Sequence, residues 1–271
     1  MPTTTDEEKI ELENIKFMGF FPAIRKTFDL PLVAGTRLLN PSTPLTDQML
    51  ATQSWEDGVV DVFYALMGRM RFRLGSLDNW GVMPYLGRVT ASGKSTIVGL
   101  VQKTMFADET CGGIFAGVMR SSKSDLGTMY QYDAIFESDS REKLSLSYDI
   151  FKSMVTGNQN IEMKIYNTCF SAKFDRPMMI CSSHVLKLPG LSSKNHDAIK
   201  HRVVAFPFTK CLGGIHARNI ELGAFTARCL TSYFSLLSRA GGQGSSLECF
   251  WNAVPEQLRQ LRDARYAFIC Q

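Results

Sequence analysis

The sequence predicts an α/β fold: a parallel sheet covered by helices, with a helical N-terminal section before it and a helical C-terminal section after it. Three observations predict it. Short apolar runs alternate with helix-period stretches between about residues 80 and 208, the pattern of strand–helix–strand crossovers. Gly93-Lys94-Ser95-Thr96 falls where one apolar run gives way to a helix. The chain up to residue 79 reads as mostly helical, and the tail from residue 216 as helices again. The corresponding segments are 1–79, 80–215 and 216–271.

At 271 residues the chain can hold one large α/β domain with a small helical addition. A net charge of +4 permits a polyanionic partner without demanding one. The seven cysteines are scattered and never spaced Cys-x-x-Cys, so neither a zinc ribbon nor a disulfide framework is visible. The start is acidic (Asp6, Glu7, Glu8), unlike a signal peptide. The apolar patch Phe17 to Ile24 is too short to span a bilayer. The expectation is a soluble, intracellular protein with no membrane partner.

In chain order, residues 1–15 are polar, and residues 40–47 read as a turn-rich break. Ser54 begins a helix, with Asp57 three residues on as in a capping box. Val59, Val62, Phe63 and Leu66 continue it at helical spacing, and Gly68 is its stop. Val82 to Leu86 is the first strand, and Lys94 to Phe106 the helix after it, with Ile97, Val101 and Met105 on one face. Further strands are Ile114 to Met119, Tyr130 to Phe136, Pro177 to Cys181 and Val203 to Phe208. Leu144, Tyr148, Phe151 and Val155 mark a helix. Residues 156–173 read as a turn and a hairpin. Phe225 to Ser238 and Pro255 to Ala267 are the helices of the tail, separated by a glycine-rich loop.

Gly93-Lys94-Ser95-Thr96 has the chemistry of a triphosphate cradle. Amide N–H groups at a helix start face an anion and carry the positive end of the helix dipole. Gly93 lets the backbone approach closely. Lys94 reaches the β- and γ-phosphates of ATP, and the Ser95 hydroxyl holds Mg²⁺. Thr96 supports the first turn. The full pattern Gly-x4-Gly-Lys-Ser asks for glycine at position 88, where Arg88 stands; Gly87 is one place early. The loop is either one residue longer or has lost its first glycine. A chance Gly-Lys-Ser at a helix start is the competing reading.

Three further stretches bear on that cradle. Ile135-Phe136-Glu137 is an apolar strand ending in a carboxylate, with Asp139 two residues on. An acid at the end of the strand beside the loop holds a Mg²⁺-bound water and polarises the attacking one. Met178 to Cys181 runs into Ser182, Ser183 and His184, polar groups suited to a γ-phosphate or its nucleophile. Arg202 precedes a strand, where an arginine finger for a nucleotide on a neighbouring subunit would sit. In the hairpin, Lys164 and Lys173 can grip a nucleic-acid backbone.

The order and spacing of these stretches resemble the superfamily III helicases of DNA viruses, most closely the helicase part of poxvirus-type primase-helicases and relatives in other large DNA viruses. Four stretches carry the likeness: Phe63 to Ser95, including Arg69, Arg71 and Arg73; Ile135-Phe136-Glu137; Phe151 to Gly157 running on to His184 and Leu188-Pro189; and His201 to Phe208. Together they cover about residues 55–210.

The resemblance implies an AAA+-like ATPase forming a hexameric ring, which translocates on one DNA strand and opens forked DNA during viral genome replication. It implies Lys94 and Ser95 on ATP and Mg²⁺, Glu137 as the catalytic acid, His184 as the sensor and Arg202 as the finger in trans. The segment from Lys164 to Lys173 would be the DNA-gripping hairpin. The family usually follows its acid with a second one, where Ser138 stands here, and has Asn at the sensor position, where His184 stands. A small-molecule kinase on the same loop predicts an arginine-rich lid, which no stretch supplies. An ATP-binding ring module with weak hydrolysis is the other alternative.

Overall fold

The computed structural model describes residues 42–106, 112–115, 122–138, 146–184, 196–212 and 222–269. Residues 1–41, Leu144, Asp139 and residues 116–119 of the expected second strand lie outside the described residues.

In chain order the elements begin with α1 (Pro44–Ala51), α2 (Asp57–Arg69), β1 (Met83–Arg88) and α3 (Lys94–Met105). Next come β2 (Gly112–Phe115), α4 (Lys123–Tyr130), β3 (Ala134–Glu137), α5 (Tyr148–Thr156), β4 (Asn160–Ile165) and β5 (Thr168–Lys173). The last are β6 (Met178–Ser182), α6 (His196–Lys200), β7 (Val203–Phe208), α7 (Leu222–Arg239), α8 (Leu247–Ala253) and α9 (Glu256–Ile269).

Five strands form one sheet in the order β2-β3-β6-β1-β7, every pairing parallel. Parallel strands covered on both faces carry near-continuous apolar runs, as β1, β3 and β6 do. Alternate residues divide the core in two. Leu86, Phe136, Met179, Cys181, Val204 and Phe206 face a cluster built with α2, α3, α7 and α8. Tyr85, Ile135, Met178, Ile180 and Val203 face the other, built with α4, α5 and the β4–β5 hairpin. The chain leaves β1 for the far edge of the sheet and then returns strand by strand past it to β7. β1 therefore sits where the direction of winding reverses, the place in an open α/β sheet where ligands bind beyond the carboxyl ends of the strands.

Several elements differ from the sequence reading for local reasons. The helix expected from Ser54 begins at Asp57, with Glu56 at its cap and no side-chain cap bond. Ser54 instead takes φ +56° in the turn before it, a backbone state outside the extended one a cap residue adopts. In the expected turn-rich break, Pro44 starts α1, since proline's missing N–H costs nothing in a first turn. The expected third strand from Tyr130 begins only at Ala134. Leu126 and Met129 are the buried side of a helix ending at Tyr130, capped by the Ser122 hydroxyl on Asp125 N–H. The second strand starts at Gly112 rather than Ile114. The expected hairpin is present, β4 pairing antiparallel with β5 across a turn at Tyr166 and Asn167. No described helix is long and apolar enough to cross a membrane.

A buried ion pair ties the helical sections to the sheet. Arg69, at the end of α2, grips Asp78 with Nε and Nη2 at 2.8 Å and donates to the Val82 carbonyl at 3.1 Å. Tyr233 of α7 donates to the same carboxylate at 2.7 Å, and Trp80 N–H at 3.0 Å. Burial alone would push Asp78 up; the Arg69 charge and these hydrogen bonds more than offset it, leaving Asp78 below the ordinary carboxylate value.

Candidate functional site

The loop from Arg88 to Gly93 joins the carboxyl end of β1 to the amino end of α3. Three of its residues have positive φ: Arg88 at +97°, Ala91 at +54° and Gly93 at +90°. The angle at Arg88 is the one that the lost-glycine reading of the loop calls for. Arg88 occupies the position where the pattern asks for glycine, and its backbone takes a glycine-type conformation. The loop keeps its six-residue frame with an arginine in the glycine's place. A non-glycine residue held this way costs about 1–3 kcal/mol, so the surroundings must fix it.

Gly93 is also closely approached by two movable side-chain ends. A Cβ there would stand 2.4 Å from Leu212 Cδ1 and 2.7 Å from Met49 Cε. Its carbonyl accepts the first helical bond, from Ile97 N–H at 3.0 Å. The N–H groups of Lys94, Ser95 and Thr96 therefore open α3 without intrahelical acceptors. Lys94 folds back inside the curl of the loop. Its ammonium donates to the Val89 carbonyl, to the Arg88 carbonyl at 3.4 Å and to Ser92 Oγ at 3.2 Å. Ser95 and Thr96 are exposed on the first turn.

A cavity of about 370 Å³ opens beside the loop, lined by residues 90–96 and by Cys181, Ser182 and Ser183 at the end of β6. Ser182 and Ser183, rather than His184, supply its far wall. His184 follows with an exposed side chain, and its backbone is tied down on both sides. Its N–H donates to Ser182 Oγ at 3.0 Å, and its carbonyl accepts from the Tyr85 hydroxyl. Burial pushes the Tyr85 phenol up to about 12, so it remains a donor across the physiological range.

Glu137 closes β3 and is completely buried. It aligns with Ile180 of β6, which aligns with Tyr85 of β1. The expectation that its strand lies beside the phosphate loop's strand is corrected: β6 is inserted between them. Two strand spacings put the Glu137 backbone about 10 Å from β1, level with Tyr85 and three residues short of the end of that strand.

Arg202 lies elsewhere. It precedes β7, and the Met83 N–H donates to its carbonyl, so it marks the amino edge of the sheet. The six residues of β7 separate it from the loop by about 20 Å. Arg202 cannot reach a phosphate held by its own chain's loop. It is half-buried, donates through Nη1 to the Ala198 carbonyl, and its buried Nε has no hydrogen-bond partner among the described residues. Burial holds its guanidinium below the ordinary value.

Lys164 and Lys173 share one face of the hairpin, since Lys164 pairs with Cys169 and Lys173 with Asn160. Four residues of strand set them about 13 Å apart. Ile161 and Met163 on the opposite face are buried. At the tip, beyond Lys164, Tyr166 is 92% exposed with φ +52°. The sequence reading named the lysines and passed over this tyrosine. Arg69, part of the basic segment in the resemblance, is buried against Asp78, and Arg73 pairs with Asp175 at 3.4 Å. Among the described residues no group of three or more His, Cys, Asp or Glu side chains is placed to hold a metal ion.

Fold and loop together define an α/β protein whose lysine-bearing loop and helix start sit at the carboxyl edge of a parallel sheet. No protein-family model matches the chain, and no curated protein matches it. Solved structures do. One apo structure of the NrS-1 C-terminal region superposes with a TM-score of 0.52 at 11% identity, over 83% of this chain and 51% of that one. A second apo structure of that region gives 0.50 at 11% identity, over 81% and 50%. The chain thus spans about half the length of the structures it resembles. At this identity the likeness establishes a shared fold.

Proposed function

We propose that the protein is the ATP-dependent motor of a superfamily III type DNA helicase, acting in viral genome replication with an AAA+-like core. The observation that carries this is the loop itself. Arg88, at φ +97°, keeps the frame of a phosphate cradle against its own side-chain chemistry. Lys94 is folded into that frame beside a cavity that the end of β6 closes. The residues fit a nucleoside triphosphate with Mg²⁺: helix-start N–H groups for the phosphates, Lys94 for charge, and the exposed Ser95 hydroxyl for the metal. Bound ATP supplies the phosphoryl group whose transfer to water drives movement. Glu137, one strand beyond the cavity wall, orients and deprotonates the attacking water, with Asp139 following it in sequence. Ser182, Ser183 and the fixed backbone of His184 position that water against the loop.

Arg202, out of reach of its own loop, acts on a nucleotide held by the next subunit of a hexameric ring. The hairpin with Lys164, Lys173 and Tyr166 faces single-stranded or forked DNA. Separating binding from turnover tests the assignment. Lys94→Ala loses ATP affinity by at least about tenfold, whereas Glu137→Gln keeps affinity and loses turnover by about 100-fold or more. Equal ATP affinity in wild type and Lys94→Ala would remove the loop from the account.

A further inference from the structure

We infer that Gln53, in the turn after α1, is a positioning residue for the phosphate loop, acting through the strap of residues 209–212. The strap follows β7 and runs along the loop. Phe208 accepts from Val89 N–H at 3.0 Å, the Ala91 carbonyl accepts from Leu212 N–H at 3.0 Å, and the Thr90 carbonyl accepts from the Cys211 thiol at 3.4 Å. The Leu212 side chain lies against Gly93. The strained loop is thus held along its length by one neighbouring segment.

The backbone of that segment is held in turn by Gln53. Gln53 is 4% exposed, and every hydrogen-bonding site on its amide is used. Oε1 accepts from Thr209 N–H at 2.8 Å and from Lys210 N–H at 3.1 Å. Nε2 donates to the Lys210 carbonyl at 3.1 Å and to Thr52 Oγ1 at 2.9 Å. This pattern fixes which end of the amide is oxygen. Trp55 Nε1 donates to the Pro207 carbonyl at 3.2 Å and Lys210 Nζ to Ser54 Oγ at 2.9 Å, extending the same seam. Three strap groups lose their partner together if Gln53 is replaced, and a buried polar group without a partner favours rearrangement. The strap then moves, and the loop with it. The helical section before the sheet therefore bears on the geometry of the loop, with Gln53 as its main link.

The consequence for ligand rests on the nucleotide-binding reading of the loop; the consequence for loop order does not. The test has two arms on the full chain. In the first, amide hydrogen exchange is measured without nucleotide. Gln53→Leu speeds exchange of residues 89–96 by about tenfold or more, while Gln53→Glu, which keeps the two acceptances and loses the donations, falls between. Tyr233→Phe, which removes a buried hydrogen bond far from the loop, lowers the melting temperature and leaves exchange of residues 89–96 unchanged. In the second arm, Gln53→Leu weakens binding of a fluorescent ATP analogue by about tenfold, and Tyr233→Phe does not. Unchanged exchange of the loop in Gln53→Leu overturns the inference, as does equal loosening by Tyr233→Phe. Loop exchange that responds to Gln53 in a protein that binds no analogue overturns the nucleotide reading alone.

Discussion

Arg88 shows how little of a residue's role its identity reveals. The sequence allows either a longer loop or a lost glycine, and the backbone angle of +97° agrees with the second. The consequence is measurable. Arg88→Gly relieves the strain, partly offset by the greater freedom of glycine in the unfolded chain, and raises stability by about 1 kcal/mol in a denaturant titration. Asp78 behaves in the opposite way. Its replacement by Asn strips Arg69 of its charge partner in a buried site and costs about 3–5 kcal/mol. The sign of its pH dependence follows from its lowered value. The carboxylate's contribution is present above the unfolded carboxyl value of about 3.9 and is lost as pH falls through the lower folded value. Acid titration of Asp78→Asn therefore lacks the part of the wild-type stability loss that falls below about pH 4. Gln53 and Tyr166 left no trace in the sequence: a lone Gln in a turn and a lone Tyr between strands carry no spacing signal.

At the scale of elements, hydrophobic period was a good guide where burial is simple. Val203 to Phe208 and the helix from Lys94 were legible because each has one dominant environment, a two-faced core strand and a single-faced helix. Short elements were not. α4 and α8 are 8 and 7 residues long, too short for a period to stand out, and the aromatic residues at the end of α4 imitate a strand. The hairpin was legible as a hairpin, but its tip was not. There Tyr166 stands exposed in a strained conformation just beyond Lys164, which suits stacking on an unpaired base. Tyr166→Ala should weaken single-stranded DNA binding by about 1–3 kcal/mol with the salt dependence unchanged. Lys164→Ala and Lys173→Ala should each reduce the slope of log affinity against log salt by about 1. A DNA affinity unaltered in all three variants would leave the hairpin without a nucleic-acid role.

For the whole molecule, the parallel sheet sets the loop at one edge and Arg202 at the other, about 20 Å apart. Strand order could not be read from the sequence, because β6 enters between β1 and β3 only through long-range pairing. In the proposed motor, Arg202 of a neighbouring subunit completes the site. Mixing Arg202→Ala with Lys94→Ala subunits should restore part of the turnover that each lacks, because some interfaces then carry an intact loop and an intact arginine; absence of recovery in demonstrably mixed rings would place Arg202 outside catalysis. The measurement that bears most directly on the motor is steady-state ATP turnover with and without single-stranded DNA, for wild type and Lys94→Ala. The account predicts turnover that rises several-fold or more with DNA in wild type and is abolished by the substitution in both conditions. Turnover indifferent to DNA and unaltered in Lys94→Ala would contradict it.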